Sequence, residues 1–299
     1  MRNILEMARF ELAAALRTKR ALAIAVVYLV TSLFGMSSAI TALGKMEDQL
    51  SDILQVERVE GKSGVVSAAL WKSKPFQSLA RGVVGDSLVY DDIVGKHPAE
   101  LIYAWIVFMA VPFLSVLVAC RRVADDVKSG AAKYALMRVS RLEWSLGKYV
   151  GQATLVLAGL LVGAFGAWAV AMFKLAGADV ASMLPAMLAW SLKAWFLSLA
   201  WLGVALGISH SFSTGTKAQT VSMFALVAFS IAPYVVKLYA DTAIGEKLQV
   251  LQRLFPSAIE DALWRSSLAP VAAGSVWLAL LGLMWLSLGY LTFARRDVR

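Results

Sequence analysis

The chain has 299 residues, 59% of them hydrophobic and 16% charged, with a mean hydropathy of +0.68, which excludes a water-soluble globule whose surface must be solvated. Its net charge of +9 reads as membrane topology and lipid contact, because no nucleic-acid-binding motif accompanies it. The single Cys120 excludes an internal disulfide and a multi-cysteine metal site, and reads as an ordinary buried or interfacial thiol.

Residues 1–20 read as an amphipathic helix. At 100° per residue, Met1, Ile4, Leu5, Ala8, Leu12, Ala15 and Leu16 share one arc, while Arg2, Glu6, Arg9, Arg17 and Arg20 share the opposing one. Such a helix lies in the headgroup plane. The apolar run from about 21 to 43 is longer than the core of a cleavable signal peptide and reads as a retained span. Five more runs follow at about 101–120, 150–173, 184–208, 218–240 and 270–293, each long enough to cross a hydrocarbon core. They lack the period-2 alternation of barrel strands, and a spanning segment must satisfy its own backbone hydrogen bonds. The expected fold is therefore an all-α integral membrane protein of six transmembrane helices, one domain over 1–299.

Lysine and arginine set the orientation. With both termini inside, the segments 1–20, 121–149, 209–217 and 294–299 carry 16 Lys and Arg, against 11 in the longer exterior segments. The positive-inside rule then places both ends in the cytoplasm. The exterior loop 44–100 holds glycine punctuation and apolar pieces, and is expected to fold partly onto the outer face. Its GKSG at 61–64 is not a phosphate loop: Val56 stands where the motif needs its first glycine, and no buried strand precedes it.

The segment 121–149 is basic and helix-prone. Residues 123–137 are rich in Ala, Lys, Leu and Met with Gly130 as the only breaker, and SRLEWSLGKY resumes with Ser140 as cap and Glu143 three residues on. Two short helices around a turn near 138–140 are expected, on the cytoplasmic side.

Further along, Gly159/Gly163 and Gly203/Gly207 have the spacing for close packing of the third and fourth spans, within one chain in preference to between chains. Lys174 and Lys237 lie at span ends, where topology explains them. Lys193 lies well inside the fourth span, where a charge snorkels, pairs or meets an anionic substrate group. His210 has only His97, on the opposite face, as a fellow histidine, which argues against a histidine metal centre. Pro233 predicts a kink in the fifth span and a freed carbonyl that a neighbour must satisfy. Trp105, Trp144 and Trp264 fall near span boundaries, as anchoring belts would have them. QVLQRLFPSAIEDALWRSSLAP reads as short interfacial helices broken at Pro256. The spans contain no Asp or Glu and no nucleophile motif, which disfavours an intramembrane enzyme.

Three motifs in order carry a family resemblance. ARFELAAALRTKRAL resembles an ARxEL entry with a basic turn, through Ala8, Arg9, Glu11, Leu12, Arg17, Lys19 and Arg20. KSGAAKYALMRVSRLEWSLGKY resembles ESGTLELLLSxPVSR…LGKY, through Ser129, Gly130, Leu136, Val139, Ser140, Arg141, Leu146, Gly147, Lys148 and Tyr149. FARRDV resembles a closing F-x-RRD-[LVI], through Phe293, Arg295, Arg296 and Asp297. On a six-span frame the chain thus resembles, over its whole length, the permease subunits of ATP-binding-cassette exporters of the second type (ABC-2 type). It departs at Lys128, where the family has an acidic residue, in lacking the proline before Val139, and in a stretch shorter by one residue; Asp125 and Asp126 stand just upstream to supply the negative charge.

The resemblance implies a subunit of the cytoplasmic membrane that pairs with a second copy or a paralogue and with two separate nucleotide-binding ATPase subunits. ATP and magnesium would be bound by those subunits, with no cofactor in this chain. A coupling helix near 121–138 would seat in the ATPase through Arg121, Arg122, Asp125, Asp126, Lys128, Ser129, Gly130, Lys133, Arg138 and Arg141. Reversing the charge of Arg121, Arg122 and Lys133 together would then detach it. The substrate path would follow the permease dimer interface, with Lys193 as its candidate polar residue, and QVLQRLFPSAIEDALWRSSLAP resembles the outer re-entrant helices of these permeases. The architecture leaves room for an exterior or periplasmic accessory protein. A non-transporting scaffold or sensor with the same frame would share every one of these features.

Overall fold

The structure, a computed structural model, describes residues 2–54, 77–78, 92, 96–175, 180–238 and 251–295. Most of the exterior loop 44–100 with its GKSG, and the closing residues Arg296 and Asp297, lie outside the described residues. The elements in chain order are α1 (Arg2–Arg17), α2 (Arg20–Leu54), α3 (Pro98–Ala119), α4 (Arg122–Lys128), α5 (Ala131–Leu136), α6 (Arg141–Lys174), α7 (Val180–Ser211), α8 (Gly215–Leu238), a 3-10 turn (Pro256–Ala258), α9 (Glu260–Trp264) and α10 (Leu268–Ala294). Six of these helices are long and apolar enough to cross a membrane, the mark of a multi-pass membrane protein.

The bundle is built around α7, the most buried span, which packs against α3, α6, α8 and α10. Small residues set how closely these helices approach. A Cβ at Gly203 would overlap the carbonyl of Gly282, and one at Gly207 the carbonyl of Trp285; a Cβ at Gly289 would in turn meet the carbonyl of Gly207. Helices α7 and α10 therefore touch backbone to backbone. Gly159 and Gly163 work differently, since a Cβ at either would run into Tyr28 or Ser32 of α2. Both glycine pairs act within the chain, and each faces its own partner span: α6 takes α2, and α7 takes α10.

Breaks in the helices have local causes. Thr18 and Lys19 turn the chain from α1 into α2, with Lys19 at φ 57° in the left-handed region and its N–H donating to Leu16 O at 3.0 Å. Gly130, at φ 76°, splits the expected single helix of 123–137 into α4 and α5, a conformation that glycine adopts without a steric penalty. Ser140 and Glu143 form a reciprocal capping box, the Glu143 N–H donating to Ser140 Oγ at 3.2 Å and the Ser140 N–H to Glu143 Oε2 at 3.0 Å. The expected turn near 138–140 is present between α5 and α6, but the helix after it is not short: α6 runs on from Arg141 as one helix of 34 residues, so the region read as a second short helix is the first turns of the third span. Pro233 removes the amide that would have bonded to the Phe229 carbonyl, and the Ser257 hydroxyl donates to that carbonyl at 2.6 Å. The 3-10 turn is thereby pinned to the fifth span.

Two of the three boundary tryptophans are core residues. Trp144 is 1% exposed and stacks on Phe293 with centroids 5.4 Å apart, while Trp264 packs against Phe108 and Trp190 at 5.0 and 5.3 Å. Only Trp105 presents much of its ring outward. Position near a span end did not distinguish a lipid-facing ring from one turned into the bundle, since both fit the same sequence pattern.

Candidate functional site

Helix α1 docks along the start of α6. Its buried stripe is Ala8, Glu11 and Ala15, with Ile4 and Met7 alongside, spaced at the i, i+3, i+4 interval of one helical face. Gly147 and Gly151 receive it: a Cβ at Gly147 would overlap Met7, and one at Gly151 would come 2.8 Å from Glu11 Cβ. The apolar arc read from the sequence is divided by this contact, because Ala8 and Ala15 face α6 while Leu5 and Leu16 stay exposed.

Close docking places a carboxylate in the interior, where it requires a cation. Lys148, one turn after Trp144 on α6, is 1% exposed and provides it. Its ammonium forms a short ion pair with Glu11 Oε1, a second with Asp126 Oδ2 at 2.5 Å, and lies 4.9 Å above the Trp144 ring. Gln152, a further turn along, donates to the other Glu11 oxygen at 3.2 Å. One lysine thus fastens three elements: α1 through Glu11, α4 through Asp126, and α6, which carries it.

The end of α7 closes the same knot. Ser209 Oγ accepts the N–H groups of Val123 and Ala124 at 3.2 and 3.1 Å, satisfying two orphan donors of the first turn of α4, whose own N-cap residue Arg121 supplies no side-chain cap. His210 is fully buried with Nδ1 2.7 Å from the Leu206 carbonyl and Nε2 2.8 Å from Ser145 Oγ. A carbonyl only accepts, so Nδ1 carries the proton and Nε2 accepts from the serine. The ring meets Trp144 and Phe293 edge-on, and is a strut between α7, α6 and α10. Arg141 donates to the carbonyls of Phe293 and Ala294 at 3.1 and 2.7 Å, capping the C-terminus of α10.

The candidate coupling residues separate into two sets around this knot. Asp126 turns inward to Lys148, while Asp125 forms a solvent-exposed pair with Arg121 at 3.3 Å beside the N-terminus of α8, where a Cβ at Gly215 would overlap its carboxylate. Arg141 reaches α10, Gly130 forms the turn, and Arg122 lines a groove beside α2. Lys128, Ser129, Lys133 and Arg138 face outward. Among them stand two residues that sequence reasoning did not single out, Tyr134 at 73% and Met137 at 70% exposure. A large aromatic and a methionine exposed between lysines and an arginine have the composition of an interface anchor. Helical register could have found them, because Ala132 and Leu136 occupy the buried side of so short a helix.

Lys193 lies at the other end of the bundle. Its ammonium donates to the Arg265 carbonyl at 2.9 Å and sits 4.1 Å above the Trp190 ring, whose indole N–H donates to Glu100 Oε1 at 2.8 Å. Snorkelling toward the span boundary, onto a carbonyl and an aromatic face, describes its position. Among the described residues, no group of three or more His, Cys, Asp or Glu side chains gathers in a way that could hold a metal ion. No protein-family model matches the chain, and no curated protein matches it.

Proposed function

We propose that the chain is the permease subunit of an ATP-binding-cassette exporter, driven by separate ATPase subunits that dock on α4 and α5. The observation that carries this reading is the two-sided character of the α4–α5 hairpin. Its outer side offers Lys128, Lys133, Tyr134, Met137 and Arg138, while its inner side is tied by Asp126–Lys148 to α6 and by Ser209 to α7. A displacement imposed on the outer side is passed to two helices of 34 and 32 residues that run the length of the bundle.

In this reading α4 and α5 are cytoplasmic coupling helices, both termini are cytoplasmic, and the membrane is the cytoplasmic one. Helix α1 is an interfacial helix that sets Leu5 and Leu16 against the headgroups. Nucleotide does its work by binding one arrangement of the ATPase pair more tightly than another, and the rigid hairpin converts that difference into rocking of the bundles. A second permease copy or a paralogue completes the path. Direction of transport rests on the resemblance of the three motifs to exporters.

The sequence alone pointed to Arg121, Arg122 and Lys133 as the contact charges. The geometry moves the test to Lys128, Lys133 and Arg138, since Arg121 pairs with Asp125 and Arg122 faces a groove. With the full chain tagged in its native membrane, the purified complex is expected to hydrolyse Mg-ATP. The K128E/K133E/R138E variant is expected to insert normally and lose at least tenfold of the co-purifying hydrolysis. Undiminished hydrolysis with the triple variant would remove α4–α5 as the docking face, and absence of any ATPase from the wild-type complex would remove the function.

A further inference from the structure

Between the ends of α2 and α3 nearest α4 lies a groove of about 200 Å³. Its wall is apolar, built from Ile24 and Val27 on one side and Leu114 and Leu117 on the other, and its mouth holds two guanidinium groups, Arg20 and Arg122. Arg20 sits in the field of Glu11, Asp126 and Asp125. Those carboxylates are largely answered already, two by Lys148 and one by Arg121. Arg122 has no such answer: its Nε is buried and finds no hydrogen-bond partner among the described residues.

A buried guanidinium N–H left without an acceptor is costly, and Arg presents a planar fork that matches phosphate. The position narrows the acceptor further. The mouth lies at a span boundary, where headgroups sit, and the wall continues into the apolar depth of the spans, where acyl chains sit. Two guanidinium groups beside a continuous apolar wall match a phosphate joined to an acyl chain.

We propose that this groove binds one anionic phospholipid from the leaflet at the α4 end, with its phosphate on Arg122 and Arg20 and one acyl chain along Ile24, Val27, Leu114 and Leu117. Basic pockets between spans take anionic headgroups through this combination of charge and apolar wall. The bound lipid bridges α2 to the first residue of α4, next to the Lys148 knot, so it belongs to the machinery that holds the hairpin in place. The inference rests on the groove alone and stands whether or not the chain transports anything.

The test is native mass spectrometry of the full chain in detergent, titrated with phosphatidylglycerol and, separately, with phosphatidylcholine. One phosphatidylglycerol is expected to be retained about tenfold more tightly than phosphatidylcholine. Arg122→Gln and Val27→Trp, the first removing charge and the second filling the wall, are each expected to weaken it about tenfold. Arg122→Lys, which keeps the charge without the fork, should lie between wild type and Arg122→Gln, which separates loss of the phosphate contact from misfolding, and Arg9→Gln on the exposed side of α1 should change nothing. Equal retention of the two lipids, or full retention by both Arg122→Gln and Val27→Trp, overturns the proposal. So does displacement by millimolar inorganic phosphate with Val27→Trp silent, which would make this a free-anion site, or loss of a dimer in Val27→Trp with lipid retention intact, which would make it a subunit interface.

Discussion

Lys148→Met is expected to be the most damaging single substitution in the polar part of the molecule, lowering stability by about 3 kcal/mol. The lysine side chain is 2% exposed and holds two carboxylates, so its removal leaves Glu11 and Asp126 close together, like-charged and without a cation. Glu11 is nearly as buried as the lysine, whereas the Asp126 side chain keeps 32% of its exposure and can draw on solvent, which places the effect at the lower end of the usual range for breaking a buried pair. On the scaling of large soluble domains, a loss of this size moves an unfolding midpoint by about 6–12 °C. Glu11→Gln leaves the Lys148–Asp126 pair and should cost about 1 kcal/mol. The triple change Glu11→Gln, Lys148→Met, Asp126→Asn removes every charge and should recover most of the loss, because the penalty lies in the uncompensated carboxylates. Thermal unfolding of the detergent-solubilised chain measures all three. If Lys148→Met and the triple variant unfold at the same temperature, the knot is not held by charge. If ATPase subunits dock on α4 and α5 as proposed, Lys148→Met should also retain docking while losing stimulated hydrolysis, because the outer side of α5 is untouched and the link behind it is cut.

Gly203→Val carries the other large effect. A Cβ at this position would occupy the space of the Gly282 carbonyl, and backbone cannot step aside as a flexible side chain can. The seam would have to open along its length, since Gly207 and Gly289 lock the same two helices further on. Tyr149 is tied into it as well, with its hydroxyl donating to the Leu199 carbonyl at 3.0 Å and lying where a side chain at Gly282 would go. The expected cost is about 3 kcal/mol or more, the upper end of overpacking penalties. Gly35→Ala is the contrast: its new Cβ meets only the Ile106 side chain, at 2.9 Å from Cδ1, and should cost less than about 1 kcal/mol after a small rotamer adjustment. Protease resistance of the two variants in membranes should separate them clearly, and equal resistance would contradict a backbone-to-backbone seam.

These two sites also show what a sequence discloses and what it withholds. Glycines four apart were visible in the third and fourth spans, but nothing in the spacing says that Gly203 meets Gly282 and Gly159 meets Tyr28. The first contact spans 79 positions and the second 131. The Ser140–Glu143 capping box and the carbonyl freed by Pro233 were legible because both are set within one helical turn. Glu11 and Lys148 each stood in a recognisable motif, yet their ion pair joins residues 137 apart. Charge count marked 121–149 as a basic surface; it could not tell that Asp126 and Lys148 within it neutralise each other in the interior while Lys133 and Arg138 remain outside. Periodicity reports which residues share a face, and only packing decides what that face meets.

The proposed docking of a cytoplasmic ATPase on the outer side of α4 and α5 requires that side to face the cytoplasm, and its sidedness can be read directly. With Cys120→Ala as background and Lys133→Cys as the only thiol, a membrane-impermeant maleimide should label the chain only after the membrane has been opened. Labelling in intact cells, at the rate seen in opened ones, would put the hairpin outside and contradict the account.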